Sequence, residues 1–277
     1  MIKKKSIFCI TVKNEAKNLK ILFEVLKNNL KIFNDYFLIF VESDSNDDSA
    51  YLIKDFLRDK KGKLIQKKLL HIENRVKRLE ISRNEYLKYI KKNNKLKKFD
   101  FLIVLDCGNV NDKLNPYDIL TALKFKKKWV AIFPTQYFLY YDIWALRIKN
   151  FIEHDCYQIL VRKFMNNKLL KKDFINLVFK FMFINFFFKK NNIEVISAYG
   201  GMAIYQLKKV INFKYNCNNG ASCEHVAFNK KIYEKYGKSL YILKKLKNSH
   251  GINLHTFNIF LCAISNFYLT RFIKKIS

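Results

Sequence analysis

Acidic and amide side chains follow three of the apolar segments in the chain, and their types suit the binding of cations and hydroxyl groups. They are Asn14 and Glu15 after the first segment, Glu42 and Asp44 after the second, and Asp106 after the fourth. Carboxylate and amide oxygens are ligands that Mg²⁺ and Mn²⁺ prefer. They also accept hydrogen bonds from hydroxyl and amine groups. One interpretation is therefore a polar binding site, and the other is ordinary turn formation by these residue types.

These side chains need structural elements that bring them together, and the apolar pattern predicts such elements. Short apolar segments predict strands at 6–12, 36–41, 69–72, 99–106 and 129–133. Between them, apolar residues recur every three or four positions, first at Leu19, Leu22, Leu26, Leu30 and Phe33. Asn115 followed by Pro116 predicts a helix start. Alternating strands and helices predict an α/β fold, in which ligands bind beyond the carboxyl ends of the strands.

The bulk composition indicates a folded protein with a strong positive charge. The 277 residues carry a formal net charge of +30, and 50% of them are hydrophobic. The low counts of Gly (7) and Pro (2) argue against a linker between domains. The charge would suit nucleic acid, an anionic membrane face or phosphorylated substrates. The lysines are dispersed in short tracts at the ends of apolar segments, as solvated residues are, so binding to nucleic acid is not expected.

Three features of the sequence bear on where the protein works. The six cysteines form no CxxC pair, which fits reduced thiols in the cytoplasm. The apolar run near the amino terminus is too short for a signal peptide. The apolar segment 174–188 contains Lys180 and is shorter than the about 20 residues of a membrane-spanning helix. This segment and the basic-ended segment 257–277 are either core helices or helices in a membrane interface, so we expect a protein of the cytoplasm or of the inner membrane face.

Several short motifs resemble those of glycosyltransferases with the GT-A fold, of the family-two-like kind. In the first half of the chain, TVKNEAKNL (11–19), VESDSNDDS (41–49) and SRNEYL (82–87) resemble the N-E motif, the acid-and-serine loop and the R-N helix before the D-x-D strand. YYDIWALR (140–147) and HDC (154–156) resemble segments of uncharacterised bacterial transferases and of the capsule-associated mannosyltransferase family. AYGGMAIYQ (198–206) and CEHVAFNKKIYEKYG (223–237) resemble the G-G and E-D layout of the β-galactosyltransferases.

The resemblance covers about residues 6–255 and implies a fold and an activity. The implied fold is a single domain over 1–277, with a Rossmann-like, mixed but mostly parallel sheet flanked by helices and a helical carboxyl-terminal part. About 1–136 would bind a nucleotide-sugar, about 137–255 would bind the acceptor and carry the chemistry, and 256–277 would form the last helix. The implied activity is transfer of a sugar from a nucleotide-diphospho-sugar to a cell-surface or lipid-linked glycan, as in polysaccharide biosynthesis. Retention and inversion of configuration both stay open.

The matching motifs imply particular site residues. The donor-binding residues are Asn14, Glu15, Glu42, Asp44, Arg83, Gly200 and Gly201, and the acceptor-binding residues are Asp142, Trp144 and Arg147. Asp106 would anchor the donor diphosphate, and Glu224 would be the general base of an inverting enzyme. Asp106 and His255 would hold a divalent cation, Mn²⁺ or Mg²⁺, that acts as a Lewis acid.

One motif departs from the family pattern. Gly108 replaces the second aspartate of D-x-D, so the amide oxygen of Asn109 or Asn111 would have to substitute for it. This departure raises the alternative of a catalytically inactive GT-A-fold protein that only binds its ligand. The net charge raises a further alternative, a basic protein of membrane surfaces or nucleic acid.

Overall fold

The described part of the chain is built on one eight-stranded sheet. The structure is a computed structural model, and it describes residues 2–166, 180, 182–184 and 190–250. The strands are β1 (Ile2–Val12), β2 (Phe33–Ser43), β3 (Gly62–Lys67), β4 (Phe101–Asp106), β5 (Ala131–Thr135), β6 (Asn192–Glu194), β7 (Met202–Gln206) and β8 (Leu240–Lys247). Their order across the sheet is β3-β2-β1-β4-β7-β5-β8-β6.

Most neighbouring strands run parallel, and β6 and β7 are the exceptions. Strands β3, β2, β1 and β4 pair in parallel, as do β5 and β8. Strand β7 is antiparallel to β4 and β5, and β6 is antiparallel to β8. Because β7 is reversed, its amino-terminal end lies beside the carboxyl ends of β1, β2 and β4. We call this side of the sheet the carboxyl edge, and the loops with the predicted site residues meet along it.

Helices pack on both faces of the sheet. They are α1 (Ala16–Leu30), α2 (Ser49–Phe56), α3 (Arg75–Lys92), α4 (Pro116–Leu123), α5 (Cys156–Met165), α6 (Leu207–Val210) and α7 (Glu224–Tyr236). Successive residues of β1 alternate between two buried clusters, with Ile7 and Cys9 in one and Phe8 and Ile10 in the other. This alternation is expected of a strand that is covered on both faces. The sheet is therefore a rigid support for the loops at the carboxyl edge.

Local sequence signals explain where several helices begin and which faces they bury. The Asn115 side chain accepts a hydrogen bond from the Asp118 N–H, and Pro116 opens α4, which confirms the predicted helix start. In α1 the predicted apolar positions from Leu19 to Leu30 are buried. The Asn74 side chain caps α3 by accepting from the N–H groups of its first turn. The start of α3 fixes the register of Arg83, which lies two turns further along the helix.

The ends of most predicted strands shift by two to four residues, and three differences have a structural reason or move an element. Phe33 begins β2 and does not belong to α1, which ends at Leu30. The three-residue interval from Leu30 to Phe33 matches the helical spacing only by coincidence. The third strand is Gly62–Lys67, not 69–72; it is an edge strand that stays half-exposed and so lacks an apolar run. Leu69 is buried outside the sheet, and its N–H donates to the Asp44 carboxylate. Strand β5 begins and ends two residues later than predicted.

The membrane expectation rests on two segments that the structure covers only in small part. No helix within the described ranges has the length and apolar character that crossing a membrane requires. Segment 257–277 lies outside those ranges, and only 180 and 182–184 of segment 174–188 lie inside them. Met182 and Ile184 are fully buried in the core, and the Tyr140 N–H donates to the Met182 carbonyl at 2.8 Å. At these two positions the segment contributes to the core.

Candidate active site

Asp106 ends β4 with one carboxylate oxygen bound by the protein and the other free. Its Oδ1 accepts hydrogen bonds from Arg83 Nη2 and from the Tyr199 hydroxyl, both at 2.9 Å. Its Oδ2 has no hydrogen-bond partner among the residues that the structure describes. The side chain is 31% exposed. The aspartate is thus held in place while it presents one oxygen at the carboxyl edge.

Arg83 is buried between two carboxylates. Its Nη2 donates to Asp106, and its Nε donates to Glu224 Oε1 at 2.9 Å. Burial alone would lower the pKa of Arg83, but its anionic and phenolic neighbours raise that pKa well above the ordinary value, so the guanidinium stays charged. Its Nη1 is buried and has no partner in the described part of the chain. We call Asp106, Arg83 and Glu224 the buried ion cluster; contact of Arg83 with a donor stays a prediction.

Glu224 and His225 begin α7 and are both buried. Glu224 Oε1 pairs with Arg83, and Oε2 lies 3.8 Å from the Cys223 thiol. The His225 ring stacks on Tyr199 with ring centres 3.6 Å apart; its Nε2 lies 3.7 Å from Glu224 Oε1, and neither ring nitrogen has a hydrogen-bond partner within the described ranges. Burial and the Arg83 charge hold the pKa of His225 well below its ordinary value, so the ring is neutral. Sequence reasoning missed both Tyr199 and His225.

The Gly200–Gly201 turn precedes β7 and requires glycine. Its residues have φ values of +65° and +81°. A Cβ on Gly201 would lie 2.6 Å from Val110 Cγ2, which is closer than real atoms approach. The Gly201 carbonyl accepts the Asp106 N–H at 2.9 Å. The turn therefore brings its backbone against the end of β4, which a residue with a side chain could not do without strain.

Three buried amide side chains hold this turn in place. Asn111 Nδ2 donates to the carbonyls of Asp106 and Gly201, and Asn248 Nδ2 donates to Asn111 Oδ1 and to the Gly200 carbonyl. Gln136 Nε2 donates to Asn248 Oδ1 at 2.9 Å. Because Asn111 Oδ1 accepts from Asn248 and Asn111 is only 3% exposed, its amide oxygen is not free to replace the second D-x-D carboxylate. Sequence reasoning missed Gln136 and Asn248, since their partners are up to 137 positions away.

Asp142 follows β5 and lies against the same glycine turn. Its Oδ2 accepts the Gly200 N–H at 3.2 Å, and its Oδ1 accepts the Ala145 N–H at 3.3 Å. Within the described residues it forms no ion pair, and it is partly exposed. Burial, and next the negative charge of Asp106, raise the pKa of Asp142 to about 7. This carboxylate is therefore poised to change charge near neutral pH.

Trp144 and Arg147, two predicted acceptor-binding residues, contact other parts of the protein. Arg147 is 6% exposed, and its Nη2 donates to Asp155 Oδ2 at 2.9 Å. Its Nη1 donates to the carbonyls of Trp144 and Leu146. The Trp144 side chain packs partly buried against the core. These contacts fix the loop that carries Asp142, and an acceptor contact by either residue stays a prediction.

The loops after β1 and β2 are bound to each other through their polar groups. The Asn14 N–H donates to Ser45 Oγ, and Asn14 Oδ1 accepts the Asn46 N–H, each at 2.9 Å. Glu42 is buried, and its Oε1 accepts the Ser45 N–H at 2.7 Å. Asp44 accepts the Leu69 N–H. We call residues 42–49 the β2 loop; the donor-binding roles of Asn14, Glu42 and Asp44 stay predictions.

Glu15 lies beside the position where the second D-x-D aspartate is missing. A Cβ on Gly108 would lie 3.7 Å from Glu15 Oε1. Glu15 Oε2 accepts from Asn18 Nδ2 at 2.5 Å. Among the residues described, no group of three or more His, Cys, Asp or Glu side chains could hold a metal ion. His255, the predicted histidine ligand, lies outside those residues.

Comparison with known proteins establishes the fold. Neither a protein-family model nor a curated protein sequence matches the chain. The mannosyltransferase PcManGT of Pyrobaculum calidifontis, solved with GDP-Man and Mn²⁺, superposes with a TM-score of 0.52 at 13% identity over 100% of this chain and 65% of its own. Residues 1–349 of S. aureus TarS, solved with UDP-GlcNAc, superpose with a TM-score of 0.50 at 12% identity over 91% of this chain and 60% of theirs.

These comparisons support one conclusion on architecture. The chain has a GT-A fold, with a mixed, mostly parallel sheet flanked by helices, as the motifs implied. It spans less than two thirds of the length of both solved chains. At 12–13% identity the likeness concerns the fold alone.

Proposed function

We propose that the protein is a glycosyltransferase that moves a sugar from a nucleotide-diphospho-sugar to an acceptor hydroxyl. The observation that carries the proposal is the state of Asp106 at the end of a central strand of a GT-A sheet. One oxygen is fixed by Arg83 and Tyr199, and the other is open at the carboxyl edge. Ligands of such sheets bind at this edge. Solved proteins with the fold hold GDP-Man or UDP-GlcNAc.

The donor would extend along the carboxyl edge. Its base and ribose would lie against Asn14, Glu15, Glu42 and Asp44, whose loops are adjacent. Its diphosphate would lie near Asp106, and its sugar near the Gly200–Gly201 turn, where backbone without side chains permits close approach.

We propose that Asp106 and Glu15 would hold a divalent cation together with the donor diphosphate, since the described residues offer no group of three such ligands. Asp106 Oδ2 is a free carboxylate oxygen, and the Glu15 carboxylate lies beside Gly108. Both are hard oxygen ligands that suit Mn²⁺ or Mg²⁺. Such a cation would offset the charge of the departing diphosphate. The mannosyltransferase PcManGT was solved in complex with GDP-Man and Mn²⁺.

We propose that the acceptor is a cell-surface or lipid-linked glycan and that the protein acts at the inner face of the membrane. The net charge of +30 would favour anionic lipid headgroups around such an acceptor. Asp142, Trp144 and Arg147 belong to the loop after β5, on the side of the glycine turn away from the β2 loop. This loop is where the acceptor would enter.

A second candidate function is binding of the same donor without turnover. Two observations favour binding without turnover. Gly108 stands where the D-x-D pattern has a second aspartate, and Arg83 already neutralises part of the Asp106 charge. A screen of UDP-, GDP- and CMP-sugars, with and without Mn²⁺, addresses both candidates. A bound donor raises the melting temperature by mass action, and release of nucleoside diphosphate reports turnover. Binding without release would favour the second candidate, and no shift with any donor would contradict both.

Asp106→Asn is the variant that tests the proposed donor anchor. The amide keeps the size and the hydrogen bond from Arg83 but lacks the negative charge that holds a cation or orients the donor. We expect turnover to fall about 100-fold or more, the scale on which a positioned electrostatic group contributes. Asp112→Asn is the matched control, because Asp112 lies in the same loop and, among the residues described, pairs with Lys113 alone, at 3.4 Å. Equal turnover in the two variants would contradict the anchor role.

A further inference from the structure

Transfer of a sugar to a hydroxyl group releases a proton, and the titratable groups at the carboxyl edge include three candidates to accept it. They are Glu224, His225 and Asp142. We propose that Asp142 is the general base that takes the proton from the acceptor hydroxyl. This inference rests on the proposed function, and it replaces Glu224 in the role that the sequence motif implied.

Glu224 is closed off from an acceptor by its own contacts. Its side chain is 4% exposed, and Oε1 is bound by the Arg83 guanidinium at 2.9 Å. Oε2 faces the Cys223 thiol, which lies 3.8 Å away and is itself buried. Both carboxylate oxygens of Glu224 therefore face groups of the protein. Glu224 would have to leave Arg83 before it could reach a hydroxyl group.

His225 is closed off as well. Its ring is stacked on Tyr199 and meets the edge of Tyr215, with ring centres 5.4 Å apart. Both ring nitrogens are buried, so neither can approach an acceptor. Its depressed pKa also means that a proton would be poorly held there. His225 therefore contributes to packing against Tyr199 and Tyr215 rather than to proton transfer.

Asp142 differs from both in access and in its partners. It is partly exposed, and within the described ranges each of its oxygens accepts one backbone N–H. A carboxylate has about four lone-pair positions, so two stay available for a hydroxyl proton. Unlike Glu224, it forms no ion pair with any residue that the structure describes. A pKa near 7 suits a group that takes and returns a proton at neutral pH.

The position of Asp142 relative to Asp106 also suits the role. The Gly200 N–H donates to Asp142, and the carbonyl of the next residue, Gly201, accepts the Asp106 N–H. The two aspartates are therefore attached to the two ends of a two-residue turn, which spans about 7 Å at most. A donor anchored at Asp106 would have its sugar beside Asp142.

The proposed step balances as a single displacement. The acceptor oxygen forms a bond to C1 of the sugar while its proton passes to the Asp142 carboxylate. The bond from C1 to the donor phosphate oxygen breaks, and the nucleoside diphosphate leaves with the electron pair. Attack from the face opposite the leaving group inverts the configuration at C1. The inference therefore predicts inversion, which nuclear magnetic resonance of the first-formed product would establish.

The first experiment compares Asp142→Asn, Asp142→Glu and Glu224→Gln, with Asp112→Asn as control. The probe is the nucleotide-sugar that gives the largest melting shift, with water or octyl glucoside as acceptor. We expect Asp142→Asn to lower kcat about 100-fold or more, with the donor-induced melting shift unchanged. Wild-type kcat should rise with pH through about 7 as Asp142 ionises. Asp142→Glu should keep part of the activity and this pH dependence, and Glu224→Gln should keep the pH dependence.

The outcomes separate the inference from the proposed function. If the wild type binds and turns over a donor but Asp142→Asn is within a few-fold of it, Asp142 is not the base. Retention of configuration at C1 of the sugar would also overturn the inference. So would loss of the pH dependence of kcat in Glu224→Gln but not in the Asp142 variants. If donor binds and nothing turns over, the second candidate function holds and no base is needed. If no donor binds, the proposed function fails first.

A second experiment tests the state of Asp142 without any substrate. Because its pKa is raised from the ordinary 3.8 to about 7, the folded protein keeps a proton that the unfolded chain has released between these values. The wild type therefore loses stability as pH rises through this window. The negative charges of Asp106 and Glu224 raise the pKa of Asp142. The charge of Asp142 in turn raises the pKa values of Tyr140, Tyr141 and Cys223. The melting temperature of Asp142→Asn relative to wild type should rise from pH 4 to pH 8, and a constant difference would contradict the assignment.

Discussion

The β2 loop and the buried ion cluster both contain carboxylates at the carboxyl edge, and they differ in what binds those carboxylates. In the β2 loop, Glu42, Asp44 and Asp47 each accept hydrogen bonds from backbone N–H groups. In the ion cluster, the two carboxylates share one buried arginine that is 2% exposed. In the first arrangement the carboxylates bind N–H groups of the same loop and of neighbouring segments. The second joins α3, β4 and α7 across the core.

Residue type alone does not show how accessible a ligand-binding acid is. In the β2 loop, backbone N–H groups already bind the carboxylates of Glu42 and Asp44, so a donor would meet only their remaining lone pairs. In the ion cluster, Arg83 and Tyr199 orient the Asp106 carboxylate through Oδ1, and Oδ2 stays free within the described residues. Availability of a lone pair, rather than the presence of a carboxylate, separates a candidate ligand from a structural group.

The largest expected effect on stability is that of Arg83→Met. The change leaves Asp106 and the buried Glu224 without their cation, so we expect unfolding free energy to fall by about 3–5 kcal/mol, measured by urea denaturation. Arg58→Met is the control, since Arg58 pairs with Asp55 on the surface and is 74% exposed. That control should change stability by less than about 0.5 kcal/mol. A loss below about 1 kcal/mol for Arg83→Met would mean that the cluster does not join the three elements.

A smaller, pH-dependent effect is expected for His225→Phe beside the ion cluster. Since burial and Arg83 depress the pKa of His225, the unfolded chain binds a proton below about pH 6.5 that the folded protein resists. The wild type therefore loses stability as pH falls below that value, and the phenylalanine variant lacks this loss. The melting temperature of the variant relative to wild type should rise from pH 7.5 to pH 5. His71→Phe is the control for replacing an exposed imidazole by phenylalanine, and an equal pH trend in both variants would contradict the role of burial at His225.

The sequence predicts features that depend on residues close together along the chain, and it does not predict contacts between residues far apart in the sequence. Strands β1, β2 and β4, the start of α4 and the strand-end position of Asp106 follow from patterns within about ten residues, and the structure has them. Arg83 and Glu224 are 141 positions apart, and no local pattern indicates that they form an ion pair. The amide contacts among Asn111, Gln136 and Asn248 are equally distant in sequence. Edge strand β3 was misplaced because partial exposure removes the apolar run that marks inner strands.

The smallest expected effect is that of Asp47→Ala in the β2 loop. Asp47 Oδ1 accepts the Ser49 N–H and Oδ2 accepts the Ala16 N–H, both at 3.0 Å, so the side chain joins the starts of α1 and α2. Loss of such a cap costs about 1 kcal/mol, which urea denaturation would detect. The neighbouring Asp48 makes no side-chain cap hydrogen bond, so Asp48→Ala should change stability by less than about 0.5 kcal/mol. Turnover should stay near the wild-type value in both variants, because Asp47 binds backbone rather than ligand. A 100-fold loss of turnover in Asp47→Ala would instead show that the β2 loop contributes to catalysis as Asp106 does. The two regions would then not differ in function.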